Sequence, residues 1–243
     1  MGEIITPAFR ANGNTQILRE AQDSAKRRLV EMTTKLIRFP EVLLVLRHGQ
    51  TAWNLERRLQ GRIDIPLNET GRLQAATNGR TLAALLRREE IAPESVQIFS
   101  SPLSRTMQTA EIASREAGLT APIKPEARLI EQDFGLLQGM THEEVQKKYP
   151  YCWYMRQHKP LSYLPPLGES GAVFQERISS VIDASTGVTL LVGHFGLLRT
   201  LIALSKSNAI KTDLDFETLT GDQNAVYMVR NGILSLHRAS DLK

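Results

Sequence analysis

The sequence of 243 residues contains a single cysteine, Cys152, so it cannot form an intramolecular disulfide. The absence of disulfides favours a reducing compartment. The N-terminal residues show no basic segment followed by an apolar stretch, and no apolar run approaches the roughly 20 residues that a membrane-spanning helix needs. We therefore expect a cytoplasmic protein with no membrane partner.

Metal and nucleotide motifs are also missing. The five histidines are scattered, and the run His142-Glu143-Glu144 lacks the spacing of a helical two-histidine zinc motif. Neither a P-loop nor a dinucleotide-binding glycine motif is present. We expect no metal site and no cofactor, and in particular neither ATP nor NAD.

Positive charge exceeds negative charge only modestly, with a formal net charge of +4. The basic residues are dispersed among acidic ones and no nucleic-acid-binding motif is present, so we expect no DNA or RNA partner. One segment is richer in arginine, at Arg57, Arg58, Arg62 and Arg72. These arginines either steer an anionic ligand to a site or form a solvated face, and both interpretations stay open.

Two apolar runs each end in a histidine. Val42–Leu46 is followed by Arg47 and His48, and Thr189–Val192 is followed by His194 after one glycine. Continuous apolar runs of this length are typical of strands buried on both faces. Because ligands of open α/β sheets bind beyond the carboxyl ends of the strands, both histidines are predicted to reach a site there.

A third strand and an acidic loop add polar groups to this pattern. Val96–Phe99 predicts another buried strand, and Arg105 follows it at the start of a helix. Glu131 and Asp133 stand beside Phe134 in a segment that predicts a loop. Either carboxylate is a candidate for acid-base chemistry.

The rest of the chain alternates between strands and helices, which predicts an α/β fold. At this length with 42% hydrophobic residues, one domain is expected. We predict helices over 71–88, 105–117, 172–183 and 196–205, and a hairpin of 225–229 with 233–236 around Asn231-Gly232. The proline-rich segment 149–166 predicts an irregular cap over the site, whose Trp153, Tyr154 and Tyr163 either contact substrate or pack internally.

Residues 1–39 are predicted to be an N-terminal extension of a domain that spans 40–243. Apolar residues recur at helical spacing, which predicts an amphipathic helix; they are Ile17, Ala21, Ala25, Leu29, Met32 and Leu36. The helix is expected to pack on its own domain, with a homodimer contact as the alternative.

Four segments together resemble the motifs of one family, in order. They are Arg47-His48-Gly49, Ser100–Ala110, Leu129–Gly139 and Gly193–Gly196. The chain is similar in all four to the histidine phosphatase superfamily, the phosphoglycerate-mutase-like family, and within it to the small phosphatases. This resemblance implies a three-layer α/β/α sandwich with a mostly parallel central sheet.

The resemblance also implies roles for individual residues. His48 matches a phosphorylated nucleophile, Glu131 matches the acid that protonates the leaving oxygen, and His194 matches a phosphate-binding histidine that would act in its protonated form. Asp133 is the rival of Glu131. Predicted substrate contacts are Arg47, Thr51, Asn54, Gln60, Gly61, Arg105, Phe134 and Phe195. Phe195 departs from the pattern of relatives, which usually have a small residue at this position. Its ring would either narrow the pocket or pack behind it.

The chemistry explains why these residue types are needed. A phosphate monoester carries close to two negative charges, which arginines offset with paired hydrogen bonds. Imidazole has an ordinary pKa of about 6.5, so it is largely neutral at cellular pH and can attack phosphorus without a separate base. We therefore predict a metal-independent phosphatase with a small phosphorylated substrate.

Two alternatives remain. The nearest is a phosphoglycerate-type mutase, but His194 follows Glu131 by only 63 positions. The related mutases carry a longer insertion there with an arginine pair, whereas this segment has only Arg156 and Arg177, far apart in the sequence. The other alternative is an inactive protein that binds a phosphorylated ligand.

Overall fold

A computed structural model gives the fold for residues 36–212, 214 and 223–242. The helix predicted in the N-terminal extension lies outside these residues, apart from its last member, Leu36. Ile37 and Phe39, at the end of the predicted extension, already pack on the core of the following domain.

The described residues form one six-stranded, mostly parallel sheet. Its strands are β1 (Val42–Arg47), β2 (Val96–Ser100), β3 (Ile123–Pro125), β4 (Val188–Gly193), β5 (Val226–Arg230) and β6 (Ile233–His237). They are ordered β3-β2-β4-β1-β5-β6. The first four are parallel, and β5 and β6 form the predicted antiparallel hairpin.

Seven α-helices occur in the described part of the chain. They are α1 (Ala52–Leu55), α2 (Glu69–Arg88), α3 (Ser104–Ala117), α4 (His142–Lys148), α5 (Pro150–His158), α6 (Gly171–Ala184) and α7 (Phe195–Ser207). Short 3-10 turns occur at Pro93–Ser95, Ala127–Leu129, Gly135–Leu137, Pro160–Ser162 and Ala239–Leu242. None of the described helices is both long and apolar enough to cross a membrane.

Side chains of β1 point alternately to the two faces of the sheet, and this explains why helices cover both faces in a three-layer fold. Leu43 and Val45 lie in one core with residues of α6 and α7, whereas Leu44 and Leu46 lie in the other with residues of α2 and α3. Successive side chains of a strand point to opposite faces, so an uninterrupted apolar strand must be covered on both. The predicted α/β/α sandwich with a mostly parallel sheet is confirmed.

The segment 149–166 corrects a prediction. It contains helix α5 and a 3-10 turn rather than an irregular loop. Pro150 occupies the first turn of α5, where its missing N–H costs nothing and its φ suits a helix. Trp153 packs beside a small third core, in which Tyr163 is buried with Leu59 and Leu137.

Three parallel strands end at the same edge of the sheet. Arg47 pairs in register with Gly193, and Ser100 pairs with Val192. The backbone N–H of His48 extends the pairing by donating to the carbonyl of Gly193 at 2.9 Å. The segments that follow β1, β2 and β4 therefore begin side by side.

Close packing fixes the loop after β1. An added Cβ on Gly49 would lie 2.2 Å from the carbonyl oxygen of Gly71, and one on Gly71 would lie 2.1 Å from that of Gln50. Helix α2 begins at this contact, with the Asn68 side chain accepting a hydrogen bond from the Gly71 N–H. The two glycines let the first turn of α2 support the loop that carries His48.

Candidate active site

A cavity of about 480 Å³ opens at the carboxyl ends of the parallel strands. Its charged lining consists of six arginines and one carboxylate among the described residues: Arg47, Arg57, Arg58, Arg105, Arg156, Arg199 and Glu131. His48, His142, Asn54, Gln60, Gly61, Phe134 and Phe195 also line it. A concave site with so positive a lining is suited to an anionic ligand.

A backbone carbonyl determines which ring nitrogen of His48 carries the proton. The Nδ1 atom of this buried ring lies 2.7 Å from the carbonyl oxygen of Gly49. Because a carbonyl oxygen only accepts, Nδ1 carries the proton and the lone pair is on Nε2. Burial, and then the charges of Arg105 and Arg47, lower the pKa of His48 well below 6.5. The ring is therefore neutral at neutral pH and able to act as a nucleophile.

His194 lies behind His48, with the ring centroids 5.2 Å apart. Its Nε2 lies 2.9 Å from the hydroxyl oxygen of Ser101, the residue after β2. Burial and then the charge of Arg105 lower the pKa of His194 well below 6.5, and His48 and Arg47 add smaller effects. The protein surroundings alone therefore keep this imidazole neutral, whereas the charge-stabilising role that the family resemblance implies for His194 needs its protonated form.

Arg105 is fully buried at the start of α3. Two of its nitrogens donate to the carbonyls of Ile63 and Gly61, at 2.9 and 2.8 Å. Its Nε and the Nδ1 of His194 have no hydrogen-bond partner among the described residues, although both are buried. Burial lowers the pKa of Arg105 to about 10, so it stays charged at neutral pH. The Nε–H of Arg105 is a buried donor that calls for an acceptor, and a phosphate oxygen is one.

Glu131, rather than its rival Asp133, lines the cavity. The carboxylate of Glu131 accepts from the backbone N–H of Gln132 at 2.9 Å and from that of Gly196 at 3.5 Å. Asp133 accepts from the N–H of Gly135 and lies 3.7 Å from Arg62, outside the lining. Of the two candidate acids, the geometry favours Glu131.

Two further arginines line the cavity, and one of them lies beside Phe134. The guanidinium carbon of Arg156, on α5, is 5.6 Å from the centroid of the Phe134 ring. Arg199, on α7, donates to the backbone carbonyl of Arg156 at 3.3 Å. Burial lowers the pKa of Arg156, and burial with the charge of Arg156 lowers that of Arg199 to about 10.

The profile of the histidine phosphatase superfamily (branch 1) matches residues 43–229. The chain belongs to this superfamily. Relatives carry both phosphatase and mutase names. A 2,3-bisphosphoglycerate-dependent phosphoglycerate mutase of Bifidobacterium longum is 35% identical over 51% of this chain and 48% of its own length. An uncharacterized phosphatase PhoE of Bacillus subtilis is 40% identical over 44% of this chain and 50% of its own. The alignments thus span about half the length of these relatives.

Solved structures share the fold of this chain. YhfR of Bacillus stearothermophilus is 30% identical, and it superposes with a TM-score of 0.60 over 83% of this chain and 98% of its own. A phosphoglycerate mutase of Thermus thermophilus is 28% identical, with a TM-score of 0.57 over 82% and 98% of the two chains. The phosphoglycerate-mutase-like fold is confirmed.

Most residues that resemble the histidine phosphatase motifs lie together. Those that line the cavity are His48, Arg47, Asn54, Gln60, Gly61, Arg105, Glu131, Phe134 and Phe195. The ring of Phe195 lies against Arg47, with 5.3 Å from the guanidinium carbon to the ring centroid. The ring therefore lines the pocket rather than packing behind it. The roles of these residues stay predictions.

Other assignments need correction. Thr51 is fully buried and caps α1: its hydroxyl bonds to the Asn54 side chain at 3.1 Å and accepts from the Asn54 N–H at 3.2 Å. It does not reach the cavity. Arg62 lies 3.3 Å from Glu169 rather than in the lining, and Arg72 is outside it too. Helix capping competed with ligand contact for Thr51, which the motif alone could not reveal.

Several cavity residues were missed. His142, which belongs to none of the four motifs, lines the cavity, and burial with the charges of Arg156 and Arg57 lowers its pKa. The sequence did not single out Arg156, because the prolines around its helix are typical of an irregular segment. Arg199 follows Phe195 of the fourth motif by four positions, so the two lie on one face of α7, and this spacing is a signal that could have found it.

Proposed function

We propose that this protein hydrolyses a phosphate monoester through a phosphohistidine on His48. The observation that carries the proposal is the fixed tautomer of His48 in a cavity shared with Arg47, Arg105 and Glu131. The Nδ1 proton is held by the Gly49 carbonyl, so Nε2 is the nitrogen that attacks. No metal ion is required by this chemistry.

In the first step Nε2 of His48 attacks phosphorus and the bond to the ester oxygen breaks. Arg47 and Arg105 offset the charge on the equatorial oxygens, where most of the stabilisation of such a transition state is needed. Protonated Glu131 gives its proton to the leaving oxygen, which departs as an alcohol. An incoming phosphate dianion also counters the arginine charges that lower the pKa of His194, which favours its protonation when substrate binds.

In the second step a water molecule attacks the phosphohistidine. Glu131, now a carboxylate, takes a proton from that water, and the nitrogen–phosphorus bond breaks. The electron pair returns to Nε2 and inorganic phosphate leaves. The enzyme is then in its starting state, with Glu131 protonated and His48 neutral.

A phosphoglycerate-type mutase is the second candidate, favoured by the mutase names of several relatives. In that reaction the phosphohistidine returns its phosphoryl group to another oxygen of the same substrate rather than to water. The short segment between Glu131 and His194 speaks for water. An inactive phosphate binder is a weaker alternative, because the nucleophile and the acid share one cavity.

The test is phosphate release from a panel of small phosphate esters in the presence of EDTA. We expect wild type to release phosphate at the same rate with and without EDTA. The rate in His48→Ala should be below about one thousandth of the wild-type rate. The rate of phosphate release in Glu131→Gln should be about 100- to 10,000-fold lower than in wild type, which is the usual contribution of general acid catalysis. The exposed residues His158 and Glu143 provide matched controls as His158→Ala and Glu143→Gln, which should retain wild-type rates. Full activity in His48→Ala would rule out the proposal.

A further inference from the structure

One further cavity residue lies outside the four motifs and reaches the site through the antiparallel part of the sheet. Strand β5 pairs with β1 in the opposite direction, with Val226 opposite Leu46. The chain that enters β5 therefore lies beside the carboxyl end of β1, where His48 follows. Gln223 belongs to this entering chain and lines the cavity. The topology thus brings a side-chain amide to the site from a distant part of the sequence.

The amide of Gln223 joins the backbone of the proposed nucleophile to a predicted phosphate contact. Its Nε2 donates to the backbone carbonyl of His48 at 3.0 Å and to Oδ1 of Asn54 at 3.4 Å. A glutamine amide nitrogen has two N–H groups, so each bond uses one of them. The bonds span 175 and 169 positions of the sequence. They are therefore tertiary links and not part of a local turn.

Asn78 holds the backbone of Gln223. This asparagine is fully buried on α2, and its Nδ2 donates to the carbonyl oxygen of Gln223 at 2.8 Å. Helix α2 is the same helix whose first turn supports the His48 loop through Gly71. One helix therefore fixes both the loop of the nucleophile and the main chain from which the Gln223 amide extends.

The hydrogen bonds of Asn54 determine which end of its amide is available to a ligand. Its Oδ1 accepts from the N–H and the hydroxyl of Thr51, both at 3.1 Å, as well as from Gln223. A carbonyl oxygen has two lone pairs, so this end of the amide is occupied. The donors of the amide are on Nδ2, and Asn54 lines the cavity. Such donors suit a phosphate oxygen, which accepts hydrogen bonds.

We infer that Gln223 is a positioning residue, which holds the Asn54 amide in place beside His48 so that its N–H donors reach the phosphate oxygens. The inference rests on the proposed function for the position of that phosphate. Thr51 caps the helix that carries Asn54, so its bonds orient the amide only relative to α1. Gln223 adds the link to the His48 backbone. Misplacement of a binding group by about 1 Å can cost about 100-fold in rate, so this link matters for the reaction.

Binding of inorganic phosphate tests the link without catalysis. Gln223→Met keeps the length of the side chain but removes both N–H donors, and we expect calorimetry to give about tenfold weaker phosphate binding in this variant. Asn54→Ala should weaken binding by about ten- to a hundredfold, because it removes a hydrogen bond to a charged group. Gln146→Met, at an exposed position on α4, makes the same replacement outside the cavity and should bind phosphate like wild type.

A double-mutant cycle separates positioning from a general disturbance of the fold. If Gln223 acts through Asn54, adding Gln223→Met to Asn54→Ala should weaken phosphate binding by no more than about twofold further. The same loss in both backgrounds would overturn the inference, because Gln223 would then act without Asn54. Unchanged binding in Gln223→Met or in Asn54→Ala would also overturn it. Thermal melts establish that each variant is folded. If Gln223→Met is not, Gln223→Asn replaces it, because its amide is one methylene shorter and should lose the same bonds.

Kinetics distinguish this inference from the proposed function. The same cycle is measured by kcat/KM for release of phosphate from a small ester. Hydrolysis that depends on His48, with independent effects of the Gln223 and Asn54 substitutions, would leave the phosphatase standing and reject the positioning role. Coupled effects on phosphate binding, with no hydrolysis of any ester, would support the positioning role and reject the phosphatase. Absence of both phosphate binding and hydrolysis in wild type would contradict the two together.

Discussion

At the scale of single residues, backbone atoms decide what the site side chains can do. The Gly49 carbonyl sets the tautomer of His48, and the Gly196 N–H points at the carboxylate of Glu131. An added Cβ on Gly196 would lie 2.6 Å from Oε1 of Glu131 and 2.4 Å from Cζ of Phe174. Glycine is needed here for space, because a methyl group would displace the carboxylate.

The variant Gly196→Ala tests this positioning. Displacement of the Glu131 carboxyl should lower kcat by about 10- to 100-fold for esters with a poor alcohol leaving group. Esters of nitrophenol, whose leaving oxygen needs little protonation, should lose much less. Steady-state kinetics on both kinds of ester make the comparison, with a thermal melt as the control for folding. An equal loss on both would mean that the methyl group disturbs more than proton donation.

The sequence predicted residues best where the strand ends determine their position. His48 and His194 each follow a parallel strand, and parallel strands that end in register bring such residues together. Thr51 shows the limit, because its hydroxyl serves the helix that begins beside it. Whether Thr51 contacts a ligand or caps a helix depends on the direction of its side chain. The pattern of residue types in the sequence does not reveal that direction.

At the scale of elements, one arginine holds the loop that carries Glu131. Arg177, on α6, donates to the backbone carbonyls of Arg128, Ile130 and Glu131 at 2.6, 2.6 and 3.1 Å. It also binds both oxygens of Glu169, at 2.7 and 2.8 Å. The loop is irregular between two 3-10 turns, so this guanidinium substitutes for the hydrogen bonds of a regular element.

We expect Arg177→Ala to destabilise the protein by about 3–5 kcal/mol, because it leaves Glu169 without its main partner in a mostly buried position. Urea unfolding measures the loss. The folded variant should also show a lower kcat with a smaller change in KM, because the loop positions the acid and not the substrate phosphate. The exposed pair of Arg128 with Glu126, 2.7 Å apart, provides the control. Arg128→Ala should cost about 1 kcal/mol or less, and equal losses in the two variants would contradict the role given to Arg177.

The elements also show why part of the site escaped prediction. Strand ends and most helices were predictable from apolar runs and helical spacing. Helix α5 was not, because it is nine residues long and is surrounded by prolines that are typical of loops. It carries Arg156 into the cavity through packing on a small third core, and such a tertiary contact leaves little trace in local sequence.

At the scale of the whole molecule, the buried site histidines make stability depend on pH. His48 and His194 have pKa values lowered well below 6.5, in both cases mainly through burial and then through Arg105. Below pH 6.5 the unfolded chain therefore binds protons that the folded protein does not. The free energy of unfolding must fall as the pH drops through this window.

Each histidine should contribute a slope of up to about 1.4 kcal/mol per pH unit between 6.5 and its own folded pKa. Urea unfolding at pH 7.5 and pH 5.5 measures how far the free energy of unfolding falls between these two values. We expect that fall to be about 1 kcal/mol larger in wild type than in His48→Gln. Replacement of the exposed His158 by Gln serves as the control and should leave the loss unchanged. Identical losses in wild type and His48→Gln would mean that His48 is not kept neutral by the fold.

The phosphohistidine on His48 is the central claim, and trapping it is the most direct test. Protein mixed with a phosphate ester and quenched rapidly in base, which preserves phosphohistidine, is digested for peptide mass spectrometry. The account predicts one acid-labile phosphoryl group on His48. With an ester of nitrophenol, whose leaving oxygen needs little protonation, the label should be more abundant in Glu131→Gln, because water attack then lacks its base. Steady phosphate release with no label on His48, or with the label on another residue, would contradict the account.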